Sequence, residues 1–444
     1  MKKSHIILST IVFNAFEYYQ NLLYGFFSIV LAATFFPSAH LSVSILASLA
    51  TFAAGFLMNP FGGLVFGYFG DRYGRKSTII LSIVLTSLPT FLIGLLPTYE
   101  QIGIISSFGL ILCRLLQGFS VGGQAYGRVI FVVEHALQGR ANLVCGLLAS
   151  SSLMGAILGT AIGALCMLNI MPIWAWRIPF LLGGFLGLIS YFIMKDVDET
   201  DEHKAAKQSN TLTRRPIVDV LTMHLNNFLC VIGISGATFI PFYIISVYMI
   251  EKVFVANFNF SVSQIMLVVT SSMAIWATFL PLMGYLSDKI GEITVMKIAA
   301  LGMIIFSFPL CWVIQQSESL VITFLALAVL SGLSAAYVAP SGTFMTKLFP
   351  VSVRCSGISV ASGIGSALFG GTAPLMGSLL AEKTGMISSS AFYIMFGSFM
   401  GYIALKRTKA EKRSPSLIHP IQPTNLFHPE IYADKPPRIQ KSFC

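Results

Sequence analysis

A few polar side chains lie inside long apolar segments of this sequence, and they are its candidates for chemistry. Glu17 stands roughly half-way along the first apolar segment, at about 1.5 Å of helix rise per residue. A charge at that depth costs about 2.5–3.5 kcal/mol on insertion scales, so a carboxyl group there is a functional candidate. Other polar residues share one helical face with it, and a second such face follows in the fourth segment. The members are Asn14, Glu17, Asn21 and Tyr24 in the first segment, and Arg114, Gln117, Gln124 and Arg128 in the fourth.

These two polar faces predict a shared aqueous cavity that binds a solute. The alternative is a buried polar network that only holds helices together, and the two interpretations can coexist. A planar guanidinium suits bidentate recognition of a carboxylate, so Arg114 or Arg128 is predicted to meet a carboxylate on the bound molecule.

The elements that position these faces are membrane-spanning helices. Hydrophobic residues make up 55% of the 444 residues and charged residues 10%, against roughly 25% charged in soluble domains. Lipid-facing helices need almost no charge, so the predicted fold class is an all-α integral membrane protein with twelve transmembrane helices in two six-helix bundles. The predicted spans are Ile6–Phe35, Val43–Phe69, Ser77–Leu96, Ile102–Val133, Asn142–Ile170, Ile173–Met194, Ile217–Ile250, Val262–Leu286, Thr294–Ile314, Leu320–Leu348, Val353–Leu380 and Ser388–Leu405.

The basic residues predict how the chain sits in the membrane. Most Lys and Arg residues lie in short connections that alternate along the chain with nearly uncharged ones. This alternation places both termini in the cytoplasm of a bacterium and the chain in its inner membrane. This distribution accounts for the formal net charge of +10, so membrane lipids are expected partners and nucleic acid is not. The seven cysteines lack the spacing of a metal site or a disulfide framework. We expect a monomer.

The longest internal polar stretch divides the spans six and six. The predicted organisation is an N-terminal bundle over residues 1–194, a cytoplasmic linker over 195–216, a C-terminal bundle over 217–405, and a disordered cytoplasmic tail over 406–444. A sequence motif that occurs once in each half supports an internal duplication.

That motif is a short loop with a glycine, an acid and basic residues. Residues 67–76 read GYFGDRYGRK, and residues 284–291 repeat the beginning as GYLSDKIG. Gly67 and Gly74 permit close helix approach and a tight turn, Asp71 suits a positive helix N-terminus, and Arg75 suits an acidic partner. The loop therefore predicts a charge latch between helices.

This loop resembles the signature loop of the major facilitator superfamily. The resemblance implies that Asp71 meets the start of the eleventh helix, at residues 352–354, and that Arg75 meets an acid at the end of the fourth. The gating residues it implies are Gly67, Asp71, Arg72, Gly74, Arg75, Lys76, Glu134 and Arg354.

Further motifs are similar to the metabolite:proton symporter branch, which includes permeases for proline/betaine, shikimate, citrate and 2-oxoglutarate. They are RLLQGFSVGG at 114–123, WRIPF at 176–180 and FGGTAP at 369–374. The chain departs from the branch where Gln20 and Gln124 replace acids, where Asn59 replaces an arginine, and where Arg128 replaces a small residue. Amides do not titrate in the usable range, so Glu17 is left as the predicted proton carrier.

The predicted function is secondary active transport of a small organic solute, such as an amino acid, a betaine or a carboxylate, by alternating access with proton symport. An uncoupled facilitator or exchanger is the nearest alternative, and a transporter-like solute sensor is another. No nucleophile with its base, metal cluster or cofactor loop occurs in the sequence, so neither an enzyme nor a cofactor is predicted.

Overall fold

The structure is a computed structural model that describes residues 3–38, 40–168, 170–209, 212–213, 215–249, 262–317 and 319–408. Throughout these residues the regular elements are helices. Ten segments are long and apolar enough to cross a membrane, and the segments 3–35 and Val262–Ile290 complete a match to the twelve predicted spans. The fold class predicted from the sequence is confirmed.

The first half comprises the helices that precede the linker. They are α1 (Lys3–Phe26), α2 (Ser28–Phe35), α3 (Leu41–Leu57), α4 (Asn59–Tyr73), α5 (Arg75–Leu95), α6 (Tyr99–Ile102), α7 (Ile104–His135), α8 (Ala141–Cys166) and α9 (Arg177–Lys195).

The linker and the second half follow. Their helices are α10 (Asp201–Gln208) in the linker, then α11 (Pro216–Met223), α12 (Leu225–Tyr243), α13 (Val262–Ile290), α14 (Glu292–Gln316), α15 (Leu320–Leu348), α16 (Arg354–Gly365), α17 (Ala373–Thr384) and α18 (Ser390–Arg407).

The helices turn small polar residues inward and large apolar residues outward. On α5, Ser82, Thr86 and Thr90 are buried, whereas Leu88 and Leu92 are exposed. Without a hydrophobic force between helices in lipid, small side chains at the interface let the helices pack closely while the leucines face the hydrocarbon. This pattern is the one that a membrane-spanning bundle requires.

Several predicted spans are interrupted rather than continuous. The first breaks at Phe27 between α1 and α2, and the second at Met58, after which α4 begins with Asn59 and Pro60. The seventh passes from α12 into a π-helical turn at Ile244–Tyr248, three residues after Pro241. Proline has no backbone donor and suits the first turn of a helix, which explains why a new helix begins at the second break.

Two close helix pairs join the halves, α4 with α16 and α8 with α13. A Cβ added at Gly67 would lie 2.7 Å from the Cα of Ser356, so only glycine permits this approach. Gly146 has the same function in the second pair, since its Cβ would meet the Pro281 Cα at 3.0 Å. These contacts hold the ends of the helices together across the two halves.

Part of the linker between the halves is helical. Within the predicted range 195–216, Thr200 accepts a hydrogen bond from the His203 amide and begins α10. The prediction of a disordered tail over 406–444 falls mostly outside the described residues, because α18 ends at Arg407 and the description stops at 408.

Candidate functional site

A cavity of about 280 Å³ lies between the two halves. Four of the eight residues on the two predicted polar faces line it, namely Asn14, Asn21, Arg114 and Arg128. The second half contributes α12, α13, α15 and α16. The structure therefore brings members of both predicted faces to one cavity, whereas Glu17, Tyr24 and Gln117 are not among the residues that line it.

The other predicted members support the cavity from behind or fall outside the description. Tyr24 is buried and donates to the Ser48 carbonyl at 3.2 Å. Gln117 donates to Thr90 Oγ1 at 2.8 Å. Gln124 belongs to α7, but its side chain lies outside the described residues.

Glu17 and Arg128 form an ion pair between α1 and α7. Arg128 Nη1 contacts Glu17 Oε2, and both side chains are 1% exposed. Asn21 Nδ2 lies 3.5 Å from the other carboxylate oxygen. The Arg128 guanidinium also lies 5.5 Å from the Phe13 ring centroid and 5.8 Å from that of Tyr18. Each buried charge thus compensates the other, which keeps the pair tolerable inside a membrane protein.

Asn14 makes the helix-to-helix contacts that a buried polar network would make. Its Nδ2 lies 2.9 Å from the Leu148 carbonyl oxygen, 2.8 Å from Ser151 Oγ and 2.9 Å from Ser152 Oγ, all on α8. These contacts join α1 to α8 while the side chain borders the cavity. Structural and cavity-lining roles coexist at this residue.

Arg114 is the second cation in the cavity, and its surroundings differ from those of Arg128. Its guanidinium lies 4.5 Å from the Phe52 ring centroid and 5.1 Å from that of Tyr24. Nη1 donates to Gln117 Oε1 at 3.3 Å, while Nε has no hydrogen-bond partner within the described residues. A side chain at Gly55 would reach within 3.1 Å of Nε, so this glycine leaves room for the guanidinium. Among the ion pairs of the described chain, none gives Arg114 a carboxylate.

A series of aromatic rings crosses the cavity from the first half to the second, and the sequence patterns did not single it out. Phe52 contacts Phe56, Phe56 contacts Tyr243, Tyr243 contacts Phe242, and Phe242 contacts Trp276, with centroid distances of 5.0–5.8 Å. All five line the cavity. Trp276 lies well inside α13 rather than near the membrane interface, and this position is the one signal that could have identified it.

The loop at 67–76 forms the first latch between the halves. The Asp71 carboxylate accepts hydrogen bonds from the backbone N–H groups of Cys355 and Ser356, at 2.9 and 2.8 Å, at the start of α16. The helix N-terminus presents unpaired N–H groups and a partial positive charge, both of which favour a carboxylate. Asp71 thus lies at the start of the eleventh span, and its partners are residues 355 and 356, just after the predicted range 352–354.

Arg75 and Glu134 extend this first latch. Arg75 is fully buried, with Glu134 at 3.6 Å and Asp71 at 3.8 Å, and it donates to the Gly70 and Val351 carbonyls at 2.8 and 2.9 Å. Glu134 also accepts from Arg354 Nη1 at 2.7 Å. Four charged residues from both halves therefore alternate in sign.

The linker, with its helix α10, completes the first latch. Glu202 contacts Arg354 at 2.6 Å, His203 Nδ1 lies 2.9 Å from Arg75 Nη1, and Glu199 accepts from the Lys76 amide at 3.0 Å. Burial, and then the positive charge of Arg75, lower the pKa of the His203 imidazole below its ordinary value. The neutral ring can accept the Arg75 hydrogen bond.

The remaining predicted gating residues lie at the edge of this latch. Arg72 donates to the Tyr68 hydroxyl at 2.9 Å on its own helix. Lys76 Nζ donates to the Lys195 carbonyl at 2.6 Å. Gly74 has a φ of 111°, a conformation that favours glycine, and it allows the sharp turn between α4 and α5.

The repeated motif forms a second latch. The Asp288 carboxylate accepts from the backbone N–H groups of Asn142 and Leu143, at 3.0 and 2.9 Å, at the start of α8. Nearby, Glu292 pairs with Lys347 at 2.7 Å. The first-half loop thus caps a helix of the second half, and the second-half loop caps a helix of the first.

This arrangement, a helical membrane bundle with a central cavity and two latches between its halves, is that of a membrane transporter. The family model described as Major Facilitator Superfamily matches residues 19–254 and 228–430. The chain belongs to the Major Facilitator Superfamily. It is a multi-pass membrane protein, and the prediction of a small-solute transporter rather than an enzyme is confirmed by its relatives.

Among these relatives is the proline/betaine transporter of Escherichia coli (strain K12), 30% identical over 404 residues, with 88% of this chain and 80% of that protein covered. The glycine betaine/proline/ectoine/pipecolic acid transporter OusA of Dickeya dadantii (strain 3937) is 31% identical over 403 residues, with the same coverage. The proton:xylose symporter XylE has a similar fold, with a TM-score of 0.72 at 15% identity, over 91% of this chain and 94% of that one.

Proposed function

We propose that this chain takes up a small organic solute with a carboxylate group by alternating access, coupled to protons, across the inner membrane of a bacterium. The observation that supports this most directly is Arg114, a buried guanidinium that borders the cavity without a carboxylate among the described residues. A charge buried in this way is costly unless a partner completes it, and a solute carboxylate supplies that partner. The relatives named as proline/betaine transporters support the same solute class.

Both termini and the two latches are proposed to lie on the cytoplasmic side. The latches join the halves at one end of the bundle, so in this state the cavity would be closed toward the cytoplasm. Transport requires both latches to break while the two six-helix halves rock around the cavity. The energy that breaks them must come from differential binding of solute and proton to the two states.

Proton coupling is proposed to pass through the ion pair of Glu17 and Arg128. A proton that moves onto Glu17 neutralises the carboxylate and releases Arg128, which already borders the cavity. The released guanidinium can then attract the solute carboxylate alongside Arg114. Solute and proton thereby favour each other, which is the requirement for symport.

The proposal is tested by uptake into vesicles that contain the purified protein, with proline and trimethylglycine as radiolabelled probes. Glu17→Gln should abolish accumulation against a gradient while exchange of internal for external solute survives. Arg114→Gln should lose both activities. Glu100→Gln, at an exposed acid on α6, is the matched control and should behave like the native protein.

Uphill accumulation by Glu17→Gln would refute proton coupling through this residue. Native uptake of both probes by Arg114→Gln would refute carboxylate recognition there. Reconstituted amounts are measured in each vesicle preparation, so that loss of protein is not mistaken for loss of function.

An exchanger or uncoupled facilitator is the second candidate. Gln20 is buried on α1 and cannot titrate, and Arg128 already compensates the charge of Glu17. Both observations favour a carrier whose resting state needs no proton. A pH jump across the vesicle membrane separates the two functions, because only a symporter accumulates solute when the outside is acidified.

A further inference from the structure

One hydrogen bond joins the two halves inside the cavity itself. Asn59 Nδ2 donates to Ser366 Oγ at 3.3 Å, and both of these buried residues line the cavity. Asn59 begins α4 in the first half, and Ser366 begins the π-helical turn that follows α16 in the second. This hydrogen bond, the gate contact, is therefore within reach of a molecule bound in the cavity.

Two other side-chain hydrogen bonds between the halves lie away from the cavity. Ser150 Oγ donates to the Ala277 carbonyl at 2.7 Å between α8 and α13, and Ser359 Oγ donates to the Gly123 carbonyl at 3.2 Å between α16 and α7. None of these four residues lines the cavity. The gate contact differs from them because a solute can reach both of its partners.

The amide of Asn59 lies near the proposed carboxylate site. Gly55, which leaves room for the Arg114 guanidinium, stands four residues before Asn59, about 6 Å at about 1.5 Å per residue. All three residues line the cavity. A solute whose carboxylate is bound at Arg114 therefore extends toward Asn59, whose amide N–H groups can donate to a solute oxygen.

We propose that solute binding breaks the gate contact: an oxygen of the solute replaces Ser366 Oγ as the acceptor of the Asn59 amide, and α16 is released from α4 at its cavity end. This inference rests on the proposed function, because it takes Arg114 as the partner of the solute carboxylate. It makes Asn59 a positioning residue that links an occupied cavity to the first latch.

An uncharged hydrogen bond suits this exchange. The Asn59 amide exchanges one acceptor for another, so it is not left without a partner. The released Ser366 hydroxyl can turn to the backbone carbonyl four residues before it, as serine in helices does. The buried ion pairs of the first latch lack this property, since a neutral group that separated Glu134 from Arg75 would leave both charges unpaired.

The same two helices carry the gate contact and the first latch. About 18 Å of α4, at about 1.5 Å per residue, separates Asn59 from Asp71, and α16 extends from the latch to the turn at Ser366. Between these ends the two backbones are in direct contact, since a Cβ added at Gly63 would lie 2.6 Å from the Ser359 carbonyl oxygen. Helices packed so closely separate as rigid bodies, so release at one end weakens the contact at the other.

Proline binding to the purified protein tests the exchange. Ser366→Ala leaves the Asn59 amide to the solute, so proline should bind about fivefold more tightly, as a hydrogen bond of ~1 kcal/mol gives at about 1.4 kcal/mol per factor of ten. Asn59→Ala removes both the gate contact and its replacement, so its affinity should stay within about twofold of the native value. The double variant should also bind like the native protein, because the gain requires Asn59.

Ser150→Ala is the matched control, since it removes the hydrogen bond between α8 and α13 away from the cavity, and it should bind proline like the native protein. A contact that only held the halves together would change Ser366→Ala and Asn59→Ala alike, so equal affinities of these two variants would overturn the exchange. Native affinity in Ser366→Ala would overturn it as well, whether or not Asn59→Ala folds.

Labelling of Cys355 by a maleimide tests the link to the latch without any solute. Cys355 is buried at the first latch, where its amide donates to Asp71. Ser366→Ala should be labelled up to about fivefold faster than the native protein, because the same ~1 kcal/mol no longer holds α16 to α4. Native labelling of this variant would overturn the link. Failure of the native protein to bind proline or trimethylglycine would refute the proposed function instead, and the labelling still tests the gate contact.

Discussion

The latch at Asp71 and the latch at Asp288 have the same kind of backbone contact, and they differ in the charged residues around it. Each aspartate accepts from two consecutive N–H groups at the start of a helix in the other half, at 2.8–3.0 Å. Around Asp71, the buried Arg75 and Glu134 and the linker helix add further pairs. Around Asp288, the added pair is Glu292 with Lys347, whose side chain is 57% exposed.

This difference separates the two roles of the loop motif, namely capping a helix and forming a buried charge network. The helix cap fixes how the halves meet, and it is the same in both copies. The buried charge network makes the first latch sensitive to charge and to the linker. We therefore expect equivalent changes in the two latches to have unequal effects.

The largest difference is expected between Glu134→Gln and Glu292→Gln. Glu134 is 1% exposed between Arg75 and Arg354, and its loss leaves two buried cations without their shared carboxylate. Breaking such a buried pair costs about 3–5 kcal/mol, whereas an exposed pair is worth at most about 1 kcal/mol. Thermal unfolding of the purified proteins should show a clear decrease for Glu134→Gln alone. Equal decreases would show that the two networks contribute equally.

A smaller difference is expected between Asp71→Asn and Asp288→Asn. Each loses one of two cap hydrogen bonds, which are worth ~1 kcal/mol, and Asp71→Asn also removes a carboxylate 3.8 Å from Arg75. The buried thiol of Cys355, at the first cap, reports opening through its reaction with a maleimide. Labelling should increase in both variants if the halves move as rigid bodies, and more in Asp71→Asn. Native labelling in both would contradict a gating role for the caps.

The glycines at the turns of the two loop motifs allow a matched test of how the linker docks. Gly74 and Gly291 have φ values of 111° and 94°, so alanine strains both turns by about 1–3 kcal/mol. At position 74 the new methyl group would also collide with Glu199, while at 291 the nearest atom is Thr294 Oγ1 at 3.8 Å. Trypsin should therefore cleave at Lys204 and other exposed lysines of α10 faster in Gly74→Ala than in Gly291→Ala. Identical cleavage would argue against docking of the linker on the first turn.

The smallest expected effect is a pH dependence that only the first latch shows. Arg75 on α5, Glu134 on α7, and Glu199 and Lys207 from the linker face His203, whose pKa is lowered chiefly by burial. An undocked histidine has a pKa of about 6.5, so docking of α10 is fully stabilised above that pH and weakens as the pH falls below it. Hydrogen exchange of α10, corrected for the intrinsic effect of pH, should increase from pH 7.5 to 5.5. His203→Gln should remove this dependence, and a persistent dependence would assign it to another group.

The twelve spans could be predicted because length and hydropathy alone decide whether a segment crosses a membrane. The break at Phe27 could not, since no proline marks it and the nearby Gly25 is a weak signal in a sequence with 38 glycines. The linker helix had a local signal in Thr200 followed by two acids, which is typical of a helix start. Its docking on Arg75 and Arg354 depends on how the two halves meet, and no local pattern contains that information.

The site shows the same limit. Helical spacing placed Asn14, Asn21, Arg114 and Arg128 on the faces that line the cavity. Spacing within one helix does not give the rotation of that helix against its neighbour, so the pairing of Arg128 with Glu17 could not be read from it. That pairing distinguishes the two arginines, which the sequence left as alternatives.

The lone guanidinium of Arg114 has an electrical consequence. The charges of Glu17 and Arg128 cancel, so Arg114 gives the described lining of the cavity a net positive charge. An elementary charge that crosses the whole field gains about 2.3 kcal/mol per 100 mV, and a bound anionic group cancels that gain. Membrane voltage should therefore set how fast the unloaded carrier resets, whatever the solute gradient.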